Sequence, residues 1–355
     1  MAMTGITLDA IIHVLANTIF HPLLTWLLPF TFRAQGFHWH MPPMRYSLAF
    51  SFFVVLFWWL RQLNDWIYNG GKYRKVNWSE EIVVITGGSS GLGGCIAAMM
   101  AGKGVKAVVV LDIRPPPEEM MEQWSDRIKY YPCNVGDPSA VSRTAIQIQS
   151  EIGHATILIN NAGQVAGGKS ILELAPSEVQ SVLSTNVLAH FYTTQAFLPA
   201  MLNSPNGGHI VTVASALGYI GVKKTSAYTT SKAALLAFHE SLTAELLSSP
   251  TIKTTLVCPG QFSTELFIGV ETPSNFLAPI LGPVDIAKLV VRDVEEGRGG
   301  WVYAPEYARW MCFMRCLPGG VGRVVRWASG VDRAMDAFEN GVYVGHGAGG
   351  ANKTD

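Results

Sequence analysis

The chain has 355 residues, with 26 Lys and Arg balanced by 26 Asp and Glu, so its formal charge at neutral pH is zero. No long-range field then draws it to a polyanion, which excludes nucleic-acid binding as a class of function. Hydrophobic residues make up 49% and charged residues 15%, well under the roughly 25% charge of ordinary soluble domains, so apolar surface is expected to meet a membrane or lipid droplet.

The first region, 1–78, is read as membrane-anchoring. The run Tyr46–Leu60, YSLAFSFFVVLFWWL, carries no charge, and Trp58 and Trp59 stand beside Arg61 as an interfacial belt would. Fifteen residues fall short of the roughly 20 that span a bilayer as a helix. The earlier stretch from Ile6 to Phe32 is broken by Asp9, His13, Asn17, His21, Pro22 and Pro29, and suits an interfacial or re-entrant element. No basic segment or small-residue cleavage site marks it as a removable leader, so retention is expected. Arg61, Lys72, Arg74 and Lys75 follow the second stretch and favour a cytosolic position for what comes after. Core helices of a soluble extension are the alternative.

From 79 to 305 strand-like and helical patterns alternate. Strands are expected at 81–87, 107–112, 128–134, 155–163, 209–215, 254–260 and 301–305, with helices at 91–102, 138–152 and 176–202 among the gaps. Apolar strands alternating with helices imply an α/β fold, a Rossmann-type doubly wound parallel sheet of about seven strands, with ligands at the strands' carboxyl ends. An aromatic and basic extension, 306–340, has an amphipathic character, and the Gly-rich tail 341–355 reads as disordered. Five cysteines (Cys95, Cys133, Cys258, Cys312, Cys316) form no disulfide framework and suit a reducing compartment. Cys312 and Cys316 stand at helical spacing, open to acylation or to simple burial.

The first chemical signal is the turn Thr86-Gly87-Gly88-Ser89-Ser90-Gly91-Leu92-Gly93 after the strand VVIT. Glycines there let backbone N–H groups and a helix N-terminus approach a pyrophosphate. Asp112 ends the next strand about 20 residues later, where a carboxylate accepts from both ribose hydroxyls and repels a 2′-phosphate, which favours NAD over NADP. Arg114, two residues on, offers the opposite preference, and a plain strand-end role for Asp112 stays open. The second signal is Tyr228 with Lys232, i and i+4 on one helix face. An adjacent ammonium is expected to lower the phenol's pKa toward a working range, and Ser215 at a strand end is placed to hold the substrate oxygen. A YxxxK pair alone is more often a surface ion-pair face.

TGGSSGLG, Asn160-Asn161-Ala162-Gly163, Ser215, YTTSK at 228–232 and Pro259-Gly260 together resemble, in order and spacing, the motifs of the short-chain dehydrogenase/reductase family. The likeness covers about 81–305, and TNVLAHFYTTQAFLPAM (185–201) resembles more narrowly its membrane-associated retinol and 17-beta-hydroxysteroid dehydrogenase subgroup. It implies catalytic roles for Asn186, Ser215, Tyr228 and Lys232, with Asn186 ordering a water toward Lys232. It also implies a cofactor site, for NAD or NADP, made of Gly87, Ser89, Ser90, Gly91, Leu92, Gly93, Asp112, Asn134, Val135, Asn161, Ala162, Gly163, Tyr228, Lys232, Pro259, Gly260, Phe262 and Thr264. Asn134 stands where the family often has Asp, and Phe262 where a small aliphatic is usual. A homodimer through the helices around 176–202 and 228 is common in the family.

Between Gly260 and Gly282, Phe262, Leu266, Phe267, Ile268, Phe276, Leu277, Ile280 and Leu281 make an apolar lid, unless they only pack on the sheet. Beside an anchor it suggests a lipophilic alcohol or carbonyl, retinoid, steroid or lipid-like, handled at the endoplasmic reticulum or a lipid droplet with the catalytic domain facing the cytosol. A soluble NADPH-dependent ketoreductase and a non-catalytic scaffold are the alternatives. His38 and His40 lack a third ligand, so no metal is expected.

Overall fold

The computed structural model describes residues 7–166, 168–263 and 274–333. Three helices come first: α1 (Leu8–Asn17), α2 (Leu27–Ala34) and α3 (Pro42–Tyr68). Then follow β1 (Ile82–Thr86), α4 (Gly91–Gly102), β2 (Ala107–Asp112), α5 (Glu118–Gln123), β3 (Ile128–Pro132), α6 (Pro138–Glu151), β4 (Ile157–Asn160), α7 (Pro176–Leu183), α8 (Ala189–Leu202) and β5 (Gly208–Val213). The chain continues through α9 (Ser226–Glu245), β6 (Ile252–Pro259), α10 (Pro283–Glu295), β7 (Gly300–Ala304), α11 (Tyr307–Trp310) and α12 (Gly319–Ser329).

All seven expected strands form, and they pair in parallel in the order β3-β2-β1-β4-β5-β6-β7. Each central strand is β-branched and buried on both faces, because side chains alternate while helices cover both sides. Val83 and Ile85 of β1 pack with Ile96 and Met100 of α4 and Val290 of α10. Their neighbours Ile82 and Val84 point the other way, to Ile148 of α6, Phe197 and Met201 of α8, and Leu242 of α9. Sequence order reverses between β1 and β4, and in such sheets ligands bind at the carboxyl ends beside that switch point.

The N-terminal region departs from expectation in length. The uncharged run lies inside a 27-residue helix, about 40 Å long. Prolines 42 and 43 open it, and Arg61–Tyr68 continue the helix beyond the uncharged run, which counting apolar residues misses. That length exceeds the roughly 30 Å of a hydrocarbon core, and only 22% of its most apolar stretch is buried. Phe52, Phe53, Phe57, Trp58, Trp59 and Leu60 are exposed. α3 packs against the preceding segment through the Ser51 hydroxyl, which donates to Thr25 O at 2.8 Å, and through Phe20 on Phe50.

After α3 the chain is bolted to the amino ends of the strands. Asn69 exchanges hydrogen bonds with Gly299, at 3.2 and 2.7 Å, and the Lys253 ammonium donates to Asn69 O at 3.0 Å and Lys72 O at 2.5 Å. Arg74 pairs with Glu81 at 2.7 Å, their side chains 1% and 4% exposed, and its Nε donates to Asn206 O. Thr156 donates to the same Glu81 carboxylate.

The tail 341–355, expected to be disordered, and residues 334–340 lie outside the described residues. Removing one partner of a dry ion pair strands the other charge. Glu81→Gln should therefore lower unfolding stability by about 3–5 kcal/mol, whereas Lys103→Met, which breaks the half-exposed Lys103–Glu295 pair, should cost under about 1 kcal/mol. Urea unfolding of detergent-solubilised protein checks both.

Candidate active site

The glycine turn is built as a cradle. Gly87 has φ +64°, and a Cβ on it would lie 2.9 Å from the Ala162 backbone. A Cβ on Gly93, in the first turn of α4, would sit 2.1 Å from Gly87 O, so only glycine lets that turn approach β1 so closely. The Asn161 carboxamide donates to Thr86 O at 3.1 Å and Gly87 O at 3.0 Å, and Thr86 Oγ1 accepts from both Asn161 N and Ala162 N at 3.0 Å. These bonds lock the ends of β1 and β4 across the crevice. Ser90 stands at the N-cap of α4 with no capping bond from its side chain, so Ser89, Ser90, Gly91 and Leu92 present the helix N-terminus to the space above the sheet. That shape and charge fit a dinucleotide pyrophosphate.

Asp112 ends β2 at the crevice rim. Its carboxylate accepts from Ser89 N at 3.1 Å and Arg114 N at 3.2 Å, and Ser89 Oγ donates to Arg114 O at 2.6 Å. A carboxylate offers about four lone-pair sites, so two remain for ribose hydroxyls. The Arg114 side chain is exposed beside it. Asn134, exposed, caps its own turn by accepting from Gly136 N at 3.0 Å, while Val135 is buried among the α6-side core residues.

On the other flank, Ser215, Tyr228, Lys232 and Asn186 converge and are all buried. Ser215 follows β5; its hydroxyl accepts from Leu217 N at 3.1 Å, reaches Pro259 O at 3.4 Å and hydrogen-bonds the Tyr228 phenol. One turn along α9 from Tyr228, the Lys232 ammonium donates to Val213 O at 2.9 Å and lies 5.7 Å from the Tyr228 ring centroid. α7 and α8 are joined by a single π-helical turn, Ser184–Leu188, whose extra residue turns Asn186 inward. Asn186 is then fully satisfied: Oδ1 accepts from Gln164 N at 2.8 Å, and Nδ2 donates to Gln164 O and Ser231 Oγ, each at 2.9 Å. It stands near Lys232 without bonding to it. An ideal Cβ on Gly163 would lie 3.7 Å from both polar ends.

Electrostatically the pair departs from the sequence expectation. Burial pushes the Tyr228 phenol up to about 12, against a smaller opposing effect from Ser215, and pushes the Lys232 ammonium down to about 8. Spacing on a helix implies an acidified phenol, but a dry site disfavours both charged forms, and the ammonium's short bond goes to a backbone carbonyl. At pH 7 the protein therefore holds Tyr228 protonated.

Residues 81–274 match the family model for short chain dehydrogenase. The chain belongs to that family. It is 34% identical over 270 residues to human "Epidermal retinol dehydrogenase 2", covering 74% of this chain and 86% of that protein. It is 41% identical over 184 residues to "Dehydrogenase RED2" of Cochliobolus heterostrophus, covering 51% and 68%. Its fold matches a solved short-chain dehydrogenase from Streptomyces avermitilis with a TM-score of 0.58 at 21% identity, over 70% of this chain and 96% of that one. This short-chain dehydrogenase is an NAD(P)-dependent oxidoreductase acting on CH–OH groups of a small molecule.

Past this cluster, Pro259 ends β6, and Gly260 N donates to Ala304 O at 2.8 Å. Phe262 bridges to Leu281 and packs on the α4-side core, filling the place where a small aliphatic is usual. Thr264, Leu266, Phe267 and Ile268 lie outside the described residues. Four contributors were given no role of their own from the sequence. Gln164 grips Asn186 from just after the Asn160–Gly163 motif, Ser231 closes the same network from α9, and Thr86 clamps the two strand ends. Arg315, in the C-terminal extension, donates to Tyr219 O at 2.9 Å and Gly218 O at 2.7 Å, on the loop that follows Ser215. Thr86 was legible from its place in the glycine motif; Arg315 carried no signal.

The folded pKa of Lys232 lies below its ordinary value of 10.5, so folding loses free energy below about pH 8, and the loss fades as pH rises toward 10. Lys232→Met should abolish turnover while stabilising the fold at pH 7 by on the order of 2 kcal/mol. Thermal unfolding across pH 7–10 should show that gain shrinking toward zero.

Proposed function

We propose that this protein interconverts a lipophilic alcohol and its aldehyde or ketone at a membrane surface, with Tyr228 as general acid and base. The observation that carries the reading is the dry cluster of Ser215, Tyr228 and Lys232 at the mouth of the dinucleotide cradle. Bound there, a nicotinamide supplies or accepts hydride.

In reduction, Ser215 holds the carbonyl oxygen against the phenol, and Tyr228 gives that oxygen its proton. The protonated phenol at pH 7 suits this direction. In oxidation the same oxygen gives its proton to the phenolate, and the positive Lys232 stabilises that anion. Asn186, fixed by Gln164 and Ser231, lines the wall toward Lys232 and serves proton exchange with solvent. Gly87, Ser89–Gly93, Asp112, Asn134, Val135, Asn161–Gly163, Pro259, Gly260 and Phe262 form the cofactor cleft, and Asp112 tips the choice toward NAD.

Several features support a lipophilic substrate. Phe276, Leu277 and Ile280 are exposed on the stretch returning from the lid, and Val165, Leu217, Val222 and Val331 make an apolar wall beside Ser215. The similarity to a protein named a retinol dehydrogenase, and the long apolar α3, agree with a catalytic unit at 79–305 joined to an anchor at 1–78 and an amphipathic extension at 306–340. Placement on endoplasmic reticulum or lipid droplet is taken from the resemblance to the membrane-associated subgroup, and the basic residues after α3 favour a cytosolic face. Exposed Leu188 and Phe191, which flank α9, suit a homodimer face.

Tyr228→Phe should reduce kcat at least about a thousandfold on retinoid, steroid or fatty carbonyls, with NADH binding retained by fluorescence titration; undiminished turnover would remove the mechanism. Asp112→Ser should shift the kcat/KM ratio toward NADPH by about tenfold, roughly 1.4 kcal/mol.

A further inference from the structure

α3 is long enough to cross a bilayer, and its composition alone suggests that it does. The ties at its two flanks forbid it. Downstream, Asn69 and Lys72 are held by Gly299 and Lys253 at the amino ends of β6 and β7. Upstream, Leu8 N donates to Phe276 O at 3.0 Å, and the Asp9 carboxylate accepts from Glu306 N at 3.2 Å, just past the carboxyl end of β7. Both contacts are made by one folded catalytic unit. A crossing helix leaves the residues before it and after it on opposite faces of the membrane, where a single folded unit cannot hold both. α2, with 8 residues, is far too short to bring the chain back across.

What remains exposed is the outer surface of this segment. Leu23, Leu27, Phe30, Phe53, Phe57 and Trp59 are all more than half exposed and carry no charge. Arg33, Arg45 and Arg61 flank the uncharged stretches, with the Arg33 guanidinium 5.5 Å from the Trp39 ring centroid. Large apolar and aromatic side chains edged by guanidinium groups match a phospholipid leaflet, with hydrocarbon beneath and anionic headgroups at the rim.

We infer that residues 7–69 are monotopic: they embed in one leaflet, with both ends on the face that carries the catalytic unit. This rests on the membrane-associated reading above and adds its topology.

The test places an epitope tag ahead of Met1 of the full chain, expressed in cells, and isolates sealed microsomes with the catalytic unit outward. Carbonate extraction and protease treatment without detergent are read together. The inference expects the protein to stay in the carbonate pellet and the tag to be digested completely without detergent, while a lumenal marker survives. A pelleted protein whose tag is protected until detergent is added overturns the topology and leaves the membrane reading intact. Release of the protein into the carbonate supernatant overturns the membrane reading and the topology with it.

Discussion

A lysine and a tyrosine are buried one helical turn apart, and most of the site follows from that constraint. Neither charged form is comfortable there, so the phenol rises to about 12 and the ammonium falls to about 8. Their values are poised by burial, and any group of opposite or like charge brought into the crevice moves them strongly, because a dry site screens little. The sheet provides the dryness. β4, β5 and β6 end side by side, and α9 lies across them with Tyr228 and Lys232 on its inner face. The Val213 carbonyl that receives the ammonium is the last residue of β5, two before Ser215.

Around this pair the structure spends polar groups on rigidity. Asn186 would be an ordinary helical residue if α7 ran straight into α8. The π-helical turn rotates it inward, and three hydrogen bonds hold it there. Asn161 and Thr86 do the same for the cofactor side by tying β1 to β4 at the switch point. The Arg315 guanidinium steadies the loop after Ser215 from outside the region that the family model covers. In the proposed reaction, a site preorganised in this way needs no reorganisation as charge develops on the substrate oxygen.

Much of the fold was legible because the physics was local. β1, β2 and β6 are short runs rich in β-branched residues, and the turn needs glycine for the positive φ of Gly87 and Gly91 and for the close approach of Gly93, so both are visible in the sequence. The stretch 176–202 was legible as helix but not as a helix with a π turn, since nothing in its pattern marks the extra residue. The direction of the Tyr228 shift was misread because i, i+4 spacing reports proximity and says nothing of burial. The span of α3 was underestimated because helices propagate through charged residues that a hydropathy count stops at. The docking of α1 was invisible for another reason: one tie runs from Leu8 N to Phe276 O and the other from Glu306 N to the Asp9 carboxylate, so three of the four groups are backbone and only Asp9 contributes a side chain.

The same burial that poises the pair also separates this account from one in which Lys232 is an ordinary surface ammonium, and nuclear magnetic resonance of isotope-labelled lysine side chains measures the difference directly. In cofactor-free protein the account predicts one lysine signal, lost in Lys232→Met, that titrates near pH 8. A Lys232 signal titrating at the ordinary value of about 10.4 would contradict it.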